Sequence, residues 1–176
     1  MNLKYIFIFA FFLVGCGNEK PPQKIEEIRS SIIAVNPPNE LFDSRDLVIQ
    51  VKSNSVFSTA IETGRIMKGI IDYFPLELDN KRNIWIISDV DVVDKYNNKS
   101  IESSFALSWK VDDVKKINFQ NGFNEFALLN LTEVILPMTS VGHDLLVDYC
   151  KDEDNLTYTK RFCVTYAVSL AMSKKQ

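Results

Sequence analysis

The chain predicts an α+β fold, a small and mostly antiparallel sheet packed against helices. Three stretches carry that expectation. Residues 84–96 and 100–111 alternate apolar and polar side chains on either side of Asn97-Asn98, as the two strands of a central hairpin do. Residues 55–74 repeat Val56, Ala60, Met67, Ile71 and Phe74 at helical spacing, which makes one apolar stripe. Just before them, "DLVIQVKS" puts Leu47, Ile49 and Val51 on one face of a strand. With 176 residues there is room for one domain and little for two, so residues 25–176 are taken as a single unit.

In chain order, the first apolar patch is Ile25, Ile28, Ile32, Ile33 and Val35, closed by Pro37-Pro38. Its spacing fits a docking helix, and an edge strand is the alternative. After the strand from Asp46, Asn54 or Ser55 can cap the helix by offering a side-chain oxygen to its free N–H groups. Pro75 ends that helix. Gly64 and Gly69 lower its intrinsic stability, and close packing against a sheet accounts for them.

In the hairpin, Asn tolerates the positive φ that a tight turn requires. With Asn97-Asn98 as the turn, Val90 faces Phe105, Ile86 faces Trp109 and Ile84 faces Val111. Ile101, Phe105, Leu107, Trp109 and Val111 then share the side of Ile84, Ile86, Val90 and Val92. The reverse side carries Asp89, Asp91, Ser104 and Ser108, with Trp85 opposite Lys110. It reads as a solvated face, with Trp85 either against Lys110 or beneath another element. The acidic pair in "DVDVVD" is no calcium loop, because a straight strand offers neither six oxygens nor the curve that gathers them.

After Val111, residues 112–118, "DDVKKIN", can form a helical turn. Residues 123–136 are apolar enough to be buried but fit neither period. Thr139 or Ser140 can cap one C-terminal helix bearing Val141, Leu145, Leu146 and Tyr149 and ending near Cys150. In "FCVTYAVSLAM", Phe162, Val164, Tyr166, Val168, Leu170 and Met172 alternate with small residues, as in a final strand; a helix is the alternative.

The N-terminal end is a different kind of segment. Met1 to Lys4 form a short head carrying one Lys, and Tyr5 to Val14, "YIFIFAFFLV", are uninterrupted apolar residues. At about 1.5 Å per helical residue these ten residues reach only about half a bilayer core, so they suit a secretory signal and not a membrane span. The run closes in Leu13-Val14-Gly15-Cys16. These four positions resemble the lipobox of bacterial lipoproteins. The resemblance implies a diacylglyceryl group on the Cys16 sulfur, cleavage after Gly15 and acylation of the new amino terminus. It divides the chain into a signal at 1–15, a lipidated Cys16 with a polar tether to residue 24, and the domain. It also implies a place in the cell envelope, the membrane being the partner reached through the lipid. In a Gram-negative host of the enteric type, Gly17 after the cysteine points to the outer membrane, facing the periplasm.

Once Cys16 is lipidated, Cys150 and Cys163 are left, and two cysteines in an exported protein favour a disulfide. Zinc is the rival use of those sulfurs. Only His143 could join them, the spacing has no CxxC knuckle, and no metal or other cofactor motif is present. A charge of −3 without a dense basic tract gives no electrostatic reason to bind nucleic acid. No Ser in a tight Gly turn, Cys–His couple or HxxxH appears, so no catalytic residue is assigned. The expectation is a non-catalytic binding or structural lipoprotein contacting an envelope protein or cell-wall component. The alternative is an envelope hydrolase acting on wall material, with His143 as its sole distinctive group.

Overall fold

The computed structural model describes residues 20–38 and 41–173. Residues 1–15, where the sequence predicts a signal, and Cys16 lie outside the described residues. Five strands form one sheet in the order β1-β2-β3-β4-β5. β1 (Ile32–Val35) is an edge strand antiparallel to β2 (Asp46–Lys52). Thus the patch after Ile25 splits into a 3₁₀ turn at Ile25–Glu27 and the edge strand, and no docking helix forms.

β2 leads into α1 (Val56–Tyr73), which crosses over so that β3 (Asn83–Val93) runs parallel to β2. Ser55 caps α1: its hydroxyl accepts from Ser58 N while Ser58 returns a bond to Ser55 N. The two glycines of α1 are packed differently from expectation. A Cβ at Gly64 would meet the Phe123 ring and one at Gly69 would meet Ile28, so loop segments, and not the sheet, seat on them.

β3 and β4 (Lys99–Lys110) form the expected hairpin in a corrected register. Ile84 faces Trp109, Ile86 faces Leu107 and Ser88 faces Phe105. The turn is the five-residue loop 94–98, in which Asp94 Oδ1 accepts from the N–H groups of Tyr96 and Asn98, and Asn97 takes φ 65°. Ser104 is an extra residue at a bulge between the Ser88 and Asp89 pairs, and beyond it Ile101 faces Asp91 and is exposed.

After the hairpin come α2 (Val111–Val114), α3 (Glu125–Asn130), β5 (Val134–Pro137), α4 (Ser140–Lys151) and α5 (Glu153–Tyr158), with β5 antiparallel to β4. Residues 123–136 match neither period because they hold a short helix and a short strand. The expected final strand is instead α6 (Lys160–Ser173). Its core-facing residues Phe162, Tyr166 and Leu170 recur every four, while Val164, Val168 and Met172 are exposed. Period two and period four share those first three positions, so alternation alone misled. Asn130 settles the helix start, its Oδ1 accepting from Phe162 N and its Nδ2 donating to Tyr158 O.

The main core lies between one sheet face and the helices. Leu47, Ile49, Ile84, Ile86, Phe105, Leu107 and Trp109 meet Ile66, Met67 and Ile70 of α1, Leu146 of α4 and Phe162 of α6. Trp109 Nε1 donates to Leu128 O at 2.9 Å, which satisfies the indole inside this core. The reverse face is not solvated as the sequence reading had it. Val48, Trp85, Ile87 and Ala106 form a second buried cluster with Phe42, Val134 and Met138 around it. Trp85 lies beside Phe42, donates to Asp46 Oδ2 at 3.2 Å and pairs across the ladder with Ser108. Lys110 is turned to Glu133. Asp89 is buried and accepts from Gln50 at 2.6 Å and Ser103 at 2.8 Å, and Ser104 donates to Ser88 O.

Candidate functional site

An open groove of about 800 Å³ lies at the carboxyl ends of the parallel strands β2 and β3. In α/β arrangements that end gathers loops and a helix N-terminus, which is why ligands settle there. The groove is walled by Arg29 and Ser31 ahead of β1, Lys52 to Asn54 after β2, Ser58 and Glu62 on α1, and Val90 and Asp91 on the hairpin. Val141 and Leu145 of α4 supply its apolar side.

Its charges are matched internally. Arg29 donates from Nε to Glu62 Oε2 at 3.1 Å and from Nη2 to Oε1 at 3.2 Å. Ser31 Oγ reaches the same carboxylate at 2.5 Å and Arg65 at 2.9 Å. Burial acts to raise the Glu62 carboxyl, but the hydrogen bonds from Arg29, Ser31 and Arg65 together with the Arg29 charge outweigh it, and its pKa falls below the ordinary value. Lys52 pairs with Asp91 at 2.9 Å on the opposite wall. Beneath that wall Ser53 bonds to both Thr59 and Ser88, and Thr59 donates to Ser55 O at 2.8 Å. This buried hydroxyl cluster fixes the turn from β2 into α1.

The arrangement suits binding more readily than bond cleavage. A carboxylate held ionised by two guanidinium groups is a weak base, and the hydroxyl nearest to it, Ser31, donates to it already. The lining is mostly polar, with Val141 and Leu145 giving one apolar side.

His143 stands elsewhere. It is on α4, two residues from Val141, where helical spacing turns it to another side. Its Nδ1 meets the Tyr166 hydroxyl at 2.5 Å across to α6. Burial, and then the charge of Asp144, raise the Tyr166 phenol, so that hydroxyl stays protonated. Cys150 and Cys163 are joined in a disulfide with Cα atoms 5.6 Å apart, tying the end of α4 to the start of α6. Among the described residues no group of three or more His, Cys, Asp or Glu side chains is placed to hold a metal ion, and no helix is long and apolar enough to cross a membrane.

Compared with known protein families, curated proteins and solved structures, the chain matches none of them. The groove therefore has to be read from its own chemistry. Asn54, Val90, Asp91, Val141 and Leu145 are named from the sequence for structural reasons, but the sequence assigns none of the groove's residues a binding role. The i, i+3 pair of Glu62 and Arg65 was visible there, but Arg29 and Ser31 reach Glu62 across some thirty residues, and no local pattern announces that.

Proposed function

We propose that this chain is a lipid-anchored bacterial envelope lipoprotein whose folded domain acts by binding, with the groove between Arg29, Lys52, Glu62 and Leu145 as its ligand-engaging surface. The observation that carries the reading is the Cys150–Cys163 disulfide. It uses the two cysteines that remain when Cys16 is set aside, and it suits an oxidising compartment outside the cytosol. The order of charged head, short apolar run and Leu-Val-Gly-Cys then gives Cys16 its lipid. Two or more acyl chains hold a protein stably where one is marginal, each buried methylene contributing about 0.8 kcal/mol. The binding partner belongs to the envelope: a protein segment or a wall polymer extended along the groove.

Intact-mass measurement of the membrane-extracted protein tests this reading. The expected species begins at Cys16, carries diacylglyceryl and an N-acyl chain such as palmitate, and has Cys150 and Cys163 oxidised. Cys16→Ser abolishes both lipid and cleavage. An unacylated cytosolic species that still begins at Met1 overturns it. The binding role is read by a photoreactive residue at Ser58, expected to cross-link an envelope component that the same residue at exposed Tyr158 does not.

A further inference from the structure

We propose that the domain sits on the bilayer by one defined pole, with Tyr73 and Leu76 inserted among the lipid headgroups and the groove and hairpin loop facing away. This rests on the lipid-anchor reading of Cys16 and adds an orientation to it.

The path of the N-terminal segment sets the pole. The sequence alone allowed a free tether as far as residue 24, but the structure shortens it. Gln23 N donates to Glu27 Oε2 at 2.8 Å, and Ile25 is buried. Gln23 and Lys24 line one side of a depression whose other side is Phe74 and Glu77. From there the chain runs back along α1, with Ile28 seated on Gly69 and Arg29 and Ser31 on Glu62. The segment therefore leaves the domain at the C-terminal end of α1. From Cys16 to Gln23, the first residue held by Glu27, is seven residue steps, which at about 3.4 Å each limit the reach to about 24 Å. The lipid holds Cys16 at the membrane surface, so this end of α1 stays close to it.

The side chains at that end fit such a place. Leu76 is 80% exposed and Tyr73 is 53% exposed, one on the turn Pro75–Leu78 and one on the last turn of α1. They are the chain neighbours of Phe74 and Glu77, which line the depression at the exit, and near a bilayer an aliphatic side chain gains by leaving water while a Tyr suits the headgroup layer. Glu26 and Glu77 outnumber Lys24 in that depression, which favours zwitterionic over anionic lipid. The opposite pole is the hairpin loop 94–98. β3 is 11 residues long, about 36 Å at roughly 3.3 Å per residue, so that loop and the groove at the carboxyl strand ends point away from the membrane.

The experiment uses the full acylated chain in vesicles of phosphatidylethanolamine with a minor share of phosphatidylglycerol, with and without brominated acyl chains. The native Trp85 and Trp109 are buried and give a constant background. Leu76→Trp and Tyr73→Trp are made at exposed positions, with Tyr96→Trp on the hairpin loop and Val168→Trp on α6 as references. The expected result is a blue shift and bromine-dependent loss of emission at 73 and 76, and neither at 96 or 168. A protein that floats with the vesicles while 76 behaves like 96, or while 168 is quenched in its place, overturns the orientation and leaves the anchor standing. A wild-type chain that does not float overturns the anchor reading, and the orientation with it.

Discussion

Arg29 holds Glu62 through two nearly parallel N–H bonds, of 3.1 Å and 3.2 Å, and so pins the N-terminal segment along α1. The pin joins the groove that Glu62 lines to the N-terminal segment that carries Arg29 and Ser31. A bidentate pair fixes orientation as well as distance, which a Lys in place of Arg29 would not.

Titration should expose this pin. The folded-state pKa of Glu62 is depressed below 4.5, so its stabilisation is complete above the unfolded value and disappears as pH falls through the folded one. Glu62→Gln is expected to cost about 2 kcal/mol at neutral pH, the scale of hydrogen bonds to a charged group. It should also flatten the stability profile below pH 4.5 relative to wild type. Denaturant midpoints across that window check it; parallel profiles would show that Glu62 is not held as described.

Gly142 has no tolerance for a side chain. A Cβ there would stand 1.7 Å from Ser104 O, a backbone atom at the β4 bulge that also accepts from Met138 N and Thr139 N. Gly142→Ala is expected to destabilise by about 3 kcal/mol, because α4 must move off the sheet. At Gly64 the obstacle is the tip of the Phe123 ring, a side chain that can turn aside, so Gly64→Ala should cost less. Thermal unfolding of the two variants ranks them, and equal losses would contradict the contact at Ser104.

That bulge also marks where the sequence was readable and where it was not. The hairpin, the strand from Asp46, the cap at Ser55 and the helix to Tyr73 follow local periodicity, and they form as expected. The loop length was hidden. A turn on Asn97-Asn98 pairs Ile84 with Val111, whereas the five-residue loop alone would pair Ile84 with Ser108 and turn Trp109 to the wrong side. The extra residue Ser104 restores Ile84 opposite Trp109, a shift of two from the expected pairing, so the core side was right from Phe105 to Trp109 although every partner was wrong, while Ile101, on the far side of the bulge, is exposed and not in the core. Polar residues deceived in another way. Asp89, Ser104 and Ser108 read as solvent-facing, yet they are buried, with Asp89 and Ser104 partnered across strands. The groove depends largely on such long-range partners, Arg29 and Ser31 on Glu62 and Lys52 on Asp91.

Thr63 is a position where the natural residue costs stability. Its Oγ1 is buried and has no hydrogen-bond partner among the described residues. Thr63→Val keeps the shape and removes the unpaired hydroxyl, so it is expected to raise stability by about 1 kcal/mol. Urea denaturation measures this directly, and a destabilised variant would mean that the hydroxyl is engaged after all.

Reduction of Cys150–Cys163 completes the set. The bridge closes a loop of sequence separation 13 that contains α5, and restricting such a loop in the unfolded chain contributes about 3 kcal/mol on the entropic model. The contacts around it are independent of the bond: Tyr149 meets Phe162 edge-on at 5.7 Å, and both belong to the main core. The reduced protein, or the double variant Cys150→Ser with Cys163→Ser, should therefore still unfold cooperatively, with a midpoint lower by about 10 °C for a domain of this size. Calorimetry with and without reductant on the chain from Lys20 onward gives the comparison free of Cys16. An unchanged midpoint would show that α4 and α6 are held by packing alone, and a loss of cooperativity would show that their packing depends on the bridge.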